Sequence, residues 1–301
     1  MPPFVALLVA SFAATPDSDP CRTSQERARS FAQRQQYGEA LEELRVAAAA
    51  CPPSAALTLE LAQAQTLAGR LSDALLSVDS VLRREPRNPH ALKLKGDVLY
   101  LMGRDSEAEA ALKTAIVSAP TRVEPRYALG RIYYQQNRYR DAIVQFERVI
   151  ALDPKNYKAY DNLALCYEGL NEDRQAVNAY LKALDLVYKD HPEYDWVYAN
   201  FANLMLKQQN YQRAFDLAAE AAVRNPRSAR NSFLTGKALL KLGKPELSER
   251  WLRNAIKLDA NYAEPHYLLG QIYRNQGRRE ESQREFRAFQ EISARTPRNP
   301  R

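Results

Sequence analysis

The chain has 301 residues, 46% of them hydrophobic, and its 43 Lys and Arg residues outnumber its 36 Asp and Glu residues, for a net charge of +7. No interior stretch approaches the roughly 18 consecutive apolar residues that cross a membrane, which argues against a membrane-embedded protein. The length alone suggests about two domains, but an array of repeats grows through neighbour contacts and needs no second core.

An apolar segment stands near the N-terminus. Residues 4–14 (FVALLVASFAA) are uninterrupted apolar and small residues, followed by a polar stretch over residues 15–20. The run has the length of a signal-peptide core, with a small-residue cleavage site near Ala14. Residues 1–3 carry no Lys or Arg, so the start lies upstream, the signal is atypical, or the run is a short apolar extension. We expect residues 1–20 to be a signal peptide and short linker of an exported, periplasmic or secreted protein; a cytoplasmic location is the alternative.

Prolines recur at a fixed interval along most of the chain. The interval is 34 residues with one slip of four, and an alanine takes the last place: Pro52, Pro86, Pro120, Pro154, Pro192, Pro226 and Ala260. A period of this length indicates stacked helical hairpins. Because a prolyl ring cannot continue a helix, each proline predicts the end of a second helix. The units begin near residues 21, 55, 89, 123, 157, 195, 229 and 263.

Two columns of small residues recur when these units are aligned. The eighth place holds Ala28, Ala62, Gly96, Gly130, Ala164, Ala202, Gly236 and Gly270, and the twentieth holds Ala40, Ala74, Ala108, Ala142, Ala176, Ala214, Ser248 and Ser282. Helices cross closely only where neither carries a large side chain, so these columns predict the contact between the two helices of each unit. Bulky residues such as Tyr133 and Phe146 recur at the eleventh and twenty-fourth places, where we expect the core between hairpins.

The three cysteines fall into two groups. Cys21 opens the first helix of the first unit and Cys51 closes its second helix, so an antiparallel hairpin brings these two residues together. A disulfide that closes this hairpin is one interpretation, and two unrelated thiols is the other. Cys166, in the fifth unit, is expected to be a small buried apolar residue rather than a nucleophile.

The aligned columns closely resemble the tetratricopeptide repeat, whose pattern is bulky, Leu, Gly/Ala, Tyr, Ala, aromatic, Ala and Pro. Residues 160–167 (YDNLALCY) and 142–154 match it well. The resemblance spans residues 21–296, ahead of a basic tail over 297–301, and implies an all-α fold, a right-handed α-solenoid of about eight helical hairpins. Several places depart from the pattern: Thr58, Arg126, Ser232 and His266 fill a slot where a large aromatic residue is usual, and Ala260 and Ala294 replace the terminal proline. We expect the outer units to pack less tightly.

The resemblance also implies a binding face, since the first helices of such repeats line a concave groove. The groove residues that it implies are Lys158, Asn162, Asn200, Asn203, Arg230, Phe233, Lys237, Lys241, Tyr267 and Arg274. Asn162 and Asn200 take equivalent places and resemble the asparagine ladder of some members, which holds the backbone of an extended peptide. Asparagine is also common at that place whatever the ligand, so a structural role is the alternative.

Positive charge is concentrated near the C-terminus. Residues 224–301 contain 17 Lys and Arg residues against 8 Asp and Glu residues. A basic segment attracts nucleic acid, anionic lipid or an acidic peptide, and a solvated basic surface is the alternative. The cations alternate with Glu, and no base-stacking series of aromatic residues accompanies them, so nucleic acid is not expected.

Residues for catalysis are few. His90, His191 and His266 lie far apart in a linear array, which argues against a metal triad or a shared nucleophile. There is no Gly-rich phosphate loop, Cys-x-x-Cys pair or His-Glu-x-x-His stretch. Acidic neighbours such as Glu42 and Glu43 are expected on solvated helix faces. We therefore expect no enzyme, no metal and no cofactor.

The resemblance implies a function in protein binding. The predicted function is a non-catalytic adaptor that binds a protein or peptide segment, of acidic character, in the groove of the last four units. The alternative is a substrate-delivery or assembly module of an enzyme complex, for example one associated with a glycosyltransferase. The family's carboxylate clamp for chaperone tails needs a set of Lys, Asn and Arg residues that no three consecutive units supply, so chaperone binding of that kind is not expected.

Overall fold

The computed structural model describes residues 20–295, and every regular element in that part of the chain is an α-helix. Sixteen helices pair into eight antiparallel hairpins. The predicted all-α class and the number of hairpins are therefore confirmed. The predicted signal peptide, apart from Pro20, and the basic tail lie outside the described residues.

The helices group into two compact units that divide between Pro120 and Thr121. The first unit contains α1 (Pro20–Gln33), α2 (Tyr37–Ala50), α3 (Ala55–Leu67), α4 (Leu71–Arg84), α5 (Pro89–Leu101) and α6 (Asp105–Ser118). The second contains α7 (Glu124–Gln135), α8 (Tyr139–Leu152), α9 (Tyr157–Gly169), α10 (Asp173–Asp190), α11 (Trp196–Lys207), α12 (Tyr211–Arg224), α13 (Ala229–Lys241), α14 (Pro245–Leu258), α15 (Ala263–Asn275) and α16 (Arg279–Arg295). Every first helix begins within one residue of a predicted unit start.

The ends of the helices follow from local chemistry. Each periodic proline comes directly after the residue that caps a second helix, as Pro86 follows Glu85 and Pro154 follows Asp153. A few residues later a polar side chain often starts the next first helix, because its oxygen accepts a bond from an otherwise unpaired backbone N–H. The side chain of Asn156, for example, accepts from the N–H of Ala159.

A residue with positive φ joins the two helices of every hairpin. The residues in this column have φ between 57° and 76°, and they are Gln35, Gly69, Gly103, Asn137, Asn171, Gln209, Gly243 and Gly277. Glycine adopts this left-handed conformation without steric cost, and Asn adopts it more readily than most other residues. This column was not predicted from the sequence, although its Gly and Asn members follow their first helices at a constant interval.

The two columns of small residues lie where the helices of a hairpin approach most closely. A Cβ added at Gly130 would stand 2.8 Å from Cε1 of Phe146, a fully buried ring of the partner helix. The hydroxyl of Ser248, in the other small column, donates to the backbone carbonyl of Gly236 at 2.7 Å. Both columns therefore mark the helix contact, as predicted, and the bulky twenty-fourth place packs against the eighth.

Hydrogen bonds replace ring contacts at two of the slots that depart from the repeat pattern. Nδ1 of His266 lies 2.6 Å from Oε2 of Glu285 on the following helix. The hydroxyl of Ser232 accepts from Nδ2 of Asn254 at 2.9 Å. Polar residues in these slots still join the two helices of their hairpins.

The cysteines differ in state. Cys21 and Cys51 form a disulfide, with their Cα atoms 5.1 Å apart, that links the start of α1 to the residue after α2. Cys166 is a free, fully buried thiol, and burial raises its pKa to about 12. A thiol in this state is a poor nucleophile at neutral pH.

None of the helices within residues 20–295 is long and apolar enough to span a bilayer.

Candidate protein-binding site

The first helices of the second unit form its inner face. Helix α7 contacts α9, α9 contacts α11, α11 contacts α13 and α13 contacts α15. No comparable contact joins successive second helices in the described part of this unit. The first helices are thus closer together than the second helices, so the face that they line is concave. All ten predicted groove residues lie on α9, α11, α13 and α15.

A buried hydrogen-bond chain connects three of these helices. The carboxylate of Asp161, on α9, accepts from the hydroxyl of Tyr194 at 2.7 Å and from Nδ2 of Asn200, on α11, at 2.9 Å. The amide oxygen of Asn200 then accepts from the guanidinium of Arg230, on α13, at 2.7 Å. Asp161 is 2% exposed and Asn200 is 6% exposed. We call this chain the Asp161 network.

The carboxylate of Asp161 has a raised pKa. Burial raises the pKa of Asp161 from its ordinary 3.8 to about 6, although the hydrogen bonds from Asn200 and Tyr194 and the charge of Arg230 act in the opposite direction. Burial also raises the pKa of the Tyr194 phenol, which therefore remains a neutral donor. The network therefore contains a carboxylate that binds a proton more tightly than an exposed aspartate does.

The three groove asparagines have different environments. Both the amide nitrogen and the amide oxygen of Asn200 form hydrogen bonds within the chain. Asn162 donates to the hydroxyl of Tyr127 at 3.0 Å and to the backbone carbonyl of Lys158 at 2.8 Å. Asn203 is partly exposed, and its side chain forms no hydrogen bond to any residue within 20–295. The structure thus places Asn200 inside the wall of the groove, and Asn162 and Asn203 at its surface.

Lys207 on α11 and Lys237 and Lys241 on α13 lie toward the C-terminal ends of their helices. Nζ of Lys207 lies 2.8 Å from Oε2 of Glu168, a carboxylate that also accepts from the hydroxyl of Tyr180. Lys237 and Lys241 form no ion pair with a residue of the described chain. Burial lowers the pKa of Lys237, and the charge of Lys241 lowers it further. We call Lys207, Lys237 and Lys241 the lysine rim.

Aromatic side chains lie among the groove cations. The guanidinium of Arg230 stands 5.4 Å from the ring centroid of Trp196, whose side chain is 56% exposed. Nζ of Lys237 lies 5.7 Å from the ring centroid of Phe233. These distances fall within the range of cation–π attraction.

The last groove residues form a separate aromatic group on the final hairpin. Tyr267 packs against Phe286 and Phe289, with ring centroids 5.9 and 5.3 Å apart. The guanidinium of Arg274 stands 6.0 Å from the centroid of Phe286. Lys158, at the other end of the set, is exposed beside Tyr157. The predicted residues therefore divide into several clusters along one face.

Trp196 and Tyr194 also belong to this region and were not predicted from the sequence. Trp196 takes the second place of its unit, the place held by Lys158 and Arg230 in neighbouring units, and that equivalence was the signal for it. Tyr194 precedes α11 and follows α10, whose 18 residues accommodate the slip in the repeat interval, and no periodic signal marks it. Among residues 20–295, no cluster of three or more His, Cys, Asp or Glu side chains is arranged to hold a metal ion.

Family models match much of the chain. Models described as tetratricopeptide repeat match residues 59–123, 159–190 and 263–296, and one described as TPR repeat matches residues 130–171 and 236–277. Together these segments cover more than half of the chain. They fall in both compact units.

Curated relatives share part of this region. A DnaJ homolog subfamily C member 7 homolog from Dictyostelium discoideum is 27% identical over 151 residues, which are 45% of this chain and 27% of that protein. The protein O-mannosyl-transferase TMTC3 of Mus musculus is 25% identical over 156 residues, or 48% of this chain and 17% of that protein. The chain thus spans less than a third of each relative.

Solved structures share the fold. A tetratricopeptide repeat protein from Parabacteroides merdae superposes with a TM-score of 0.62 at 20% identity, over 85% of this chain and 99% of the other. The Cut9 and Hcn1 hetero-tetramer of the APC/C gives a TM-score of 0.67 at 13% identity, over 90% of this chain and 52% of the other. PilF of Pseudomonas aeruginosa gives 0.60 at 18% identity, over 68% and 92%. The chain has the predicted right-handed α-solenoid fold, and it belongs to the tetratricopeptide repeat family.

Proposed function

We propose that the protein is a non-catalytic scaffold that binds an acidic protein or peptide segment in the groove of α9, α11, α13 and α15. The tetratricopeptide repeat fold itself suggests protein–protein interaction. The observation that carries the finer proposal is the lysine rim, where Lys237 and Lys241 lack an ion pair in the described chain. A carboxylate of a partner would supply the missing negative charge.

An acidic ligand would relieve the repulsion between Lys237 and Lys241. Two ammonium groups one helical turn apart on α13 repel each other, and partial burial of Lys237 weakens the screening by water. Binding of an acidic side chain removes this repulsion and adds charge-assisted hydrogen bonds. The affinity gained in this way depends on ionic strength, because salt screens exposed charges within about 10 Å at 0.1 M.

Other groove residues supply contacts that do not depend on charge. Asn203 and the amide oxygen of Asn162 face the groove surface, where an amide can bond the backbone of an extended segment. Tyr267 is 43% exposed and provides apolar contact area, whereas Phe233 is buried against Tyr262. Backbone contacts of this kind add affinity with little dependence on the partner's sequence.

Affinity capture identifies the partner, and a charge reversal tests the groove. The full chain is used as bait, and the partner found by mass spectrometry is then titrated against Lys237→Glu combined with Lys241→Glu. We expect slower association and a loss of affinity that is largest at low salt. The matched control is Lys182→Glu with Lys257→Glu, which changes net charge equally at exposed positions of second helices. Equal binding by both double variants at low salt would place the interface outside this groove.

A second candidate is an assembly or substrate-delivery module of an enzyme complex. The similarity to a protein O-mannosyl-transferase favours it, since the matched segment is 17% of that relative. The same capture experiment separates the two candidates. Recovery of a catalytic subunit would favour the module, and recovery of non-catalytic partners would favour the adaptor.

We also propose that the protein acts outside the cytoplasm, in a periplasm or after secretion. The disulfide between Cys21 and Cys51 supports this location, because structural disulfides persist in oxidising compartments. Alkylation of freshly lysed native cells tests it. Resistance of both cysteines to alkylation before reduction is expected, and two reactive thiols would contradict the proposal.

A further inference from the structure

We infer that Arg230 and Trp196 form a second subsite of the groove, which takes a side-chain carboxylate flanked by an apolar side chain, and that Asp161 and Asn200 position Arg230 for it. The inference rests on the proposed function and adds the chemistry of one part of the partner. The subsite lies at the N-terminal ends of α11 and α13. On α13, Arg230 lies seven residues before Lys237 and eleven before Lys241, so at about 1.5 Å per residue the subsite is about 10 Å from the first of these lysines and about 16 Å from the second.

Arg230 has hydrogen-bond donors that no residue of the described chain uses. A guanidinium has five N–H donors in a planar fork, and its hydrogen bond to a described residue uses one of them, toward Asn200. No carboxylate of the described chain forms an ion pair with Arg230. The remaining donors are therefore not committed to an internal acid. Paired N–H groups of this kind bind a carboxylate with two parallel hydrogen bonds.

Asn200, which is bonded to Asp161, holds the side chain of Arg230 in place. An arginine free in solution loses rotamer entropy when it binds, which lowers the affinity that its contacts provide. Here the amide oxygen of Asn200 holds the guanidinium at 2.7 Å, and Asn200 is itself fixed by Asp161 from the buried side. Neither Asp161 nor Asn200 is exposed enough to meet a partner. Both act through Arg230, so they are positioning residues.

Trp196 lies exposed beside Arg230. Its side chain is 56% exposed although it is the largest apolar group on α11. The guanidinium of Arg230 lies 5.4 Å from its ring centroid, so the cation and the indole present one continuous surface. Buried Trp and Arg side chains contribute most strongly to binding in protein interfaces. A carboxylate on Arg230 with an apolar side chain on Trp196 is the partner chemistry that matches this surface.

The test uses a phage-displayed library of random dodecapeptides, selected on the immobilised full chain. The most enriched peptide is synthesised together with a partner in which each Asp or Glu is changed to Asn or Gln. Fluorescence anisotropy then gives the ratio of the two affinities, which we call the acid preference. We expect the wild-type chain to prefer the acidic peptide by roughly tenfold to a hundredfold, as for hydrogen bonds to charged groups.

Four variants separate the roles. Arg230→Gln should abolish most of the acid preference, whereas Arg227→Gln, at an exposed nearby position, should leave it unchanged. Trp196→Ala should weaken the acidic and the amide peptide alike, because it removes apolar contact. Asn200→Ala should lower the acid preference while binding of the amide peptide is retained. A purely structural role of Asn200 would instead weaken both peptides equally.

The outcomes are distinguishable. If the wild-type chain enriches no peptide, both the proposed groove function and this subsite are overturned. If acidic peptides are enriched but the acid preference survives Arg230→Gln and is lost with Lys237→Glu and Lys241→Glu, the groove function is supported and the subsite is overturned. Loss of the acid preference in Arg230→Gln and Asn200→Ala, with retained binding of the amide peptide, supports the subsite.

Discussion

The contact between Gly130 and Phe146 makes a quantitative prediction about the fourth hairpin. A Cβ at residue 130 would lie 2.8, 2.9 and 3.2 Å from three ring carbons of Phe146. Carbon atoms normally approach to about 3.5–4.0 Å, so an alanine forces the ring or the helix to move by several tenths of an ångström. Phe146 is fully buried and packs edge-on against Tyr127, with ring centroids 5.8 Å apart, so the ring lacks an open direction.

The expected magnitude combines two opposing effects. Overpacking of a core costs about 1–3 kcal/mol, whereas Ala in place of Gly within a helix gains about 0.5–1 kcal/mol. We therefore expect Gly130→Ala to lower the free energy of unfolding by about 1–2 kcal/mol. For a unit of this size that corresponds to a fall of roughly 2–8 °C in the thermal midpoint, measured by circular dichroism.

A second substitution tests the cause. In the second hairpin, Ala62 and Val78 take the places that Gly130 and Phe146 hold in the fourth, and both are fully buried. An Ala and a Val therefore fit together at this helix contact. In a Phe146→Val background the added methyl has room, so Gly130→Ala should cost less by at least about 1 kcal/mol, a coupling typical of residues in contact. Gly38→Ala is the matched control, because no atom lies within 4 Å of its added Cβ. An equal cost of Gly130→Ala in both backgrounds would refute the proposed contact.

Three further predictions follow from local features. Burial raises the pKa of Asp161 from 3.8 to about 6, so the folded chain binds a proton more tightly than the unfolded chain. The free energy of unfolding should therefore fall by about 2 kcal/mol as pH rises from 4 to 7. Urea titrations should show a shallower pH slope for Asp161→Asn, and parallel curves would count against a buried, titrating carboxylate. Gln209→Gly should raise the thermal midpoint slightly, since Gln209 has φ of 60° and glycine adopts that conformation without steric cost; a lower midpoint would argue against a left-handed turn. Joint replacement of Cys21 and Cys51 by Ser should cost about 2–4 kcal/mol in the first unit, as expected for a disulfide with a sequence separation of 30, and no change under oxidising conditions would show that the bond does not form.

Local periodicity in the sequence was sufficient to predict the hairpins. Helix starts and small residues at helix crossings recur in all eight units, and a proline follows the second helix in six of them, so aligned columns reveal these features. Gly130 and Ala142 could be placed at a helix contact because size alone decides which residues are admitted there. The family assignment followed from the same columns.

The contacts of the groove side chains depend on how neighbouring hairpins pack, which the sequence pattern does not specify. Asn200 occupies a place from which it was expected to face a peptide, yet it lies buried between Asp161, which is 39 residues before it, and Arg230, which is 30 residues after it. Such partners depend on how one first helix is rotated and spaced against the next, and a column of residue types does not contain that angle. The exposure of Trp196 likewise depends on which neighbouring side chains reach over it. Contacts within one repeat are specified by local periodicity, whereas contacts between repeats are specified by the packing of whole hairpins, and the proposed binding surface consists of the latter.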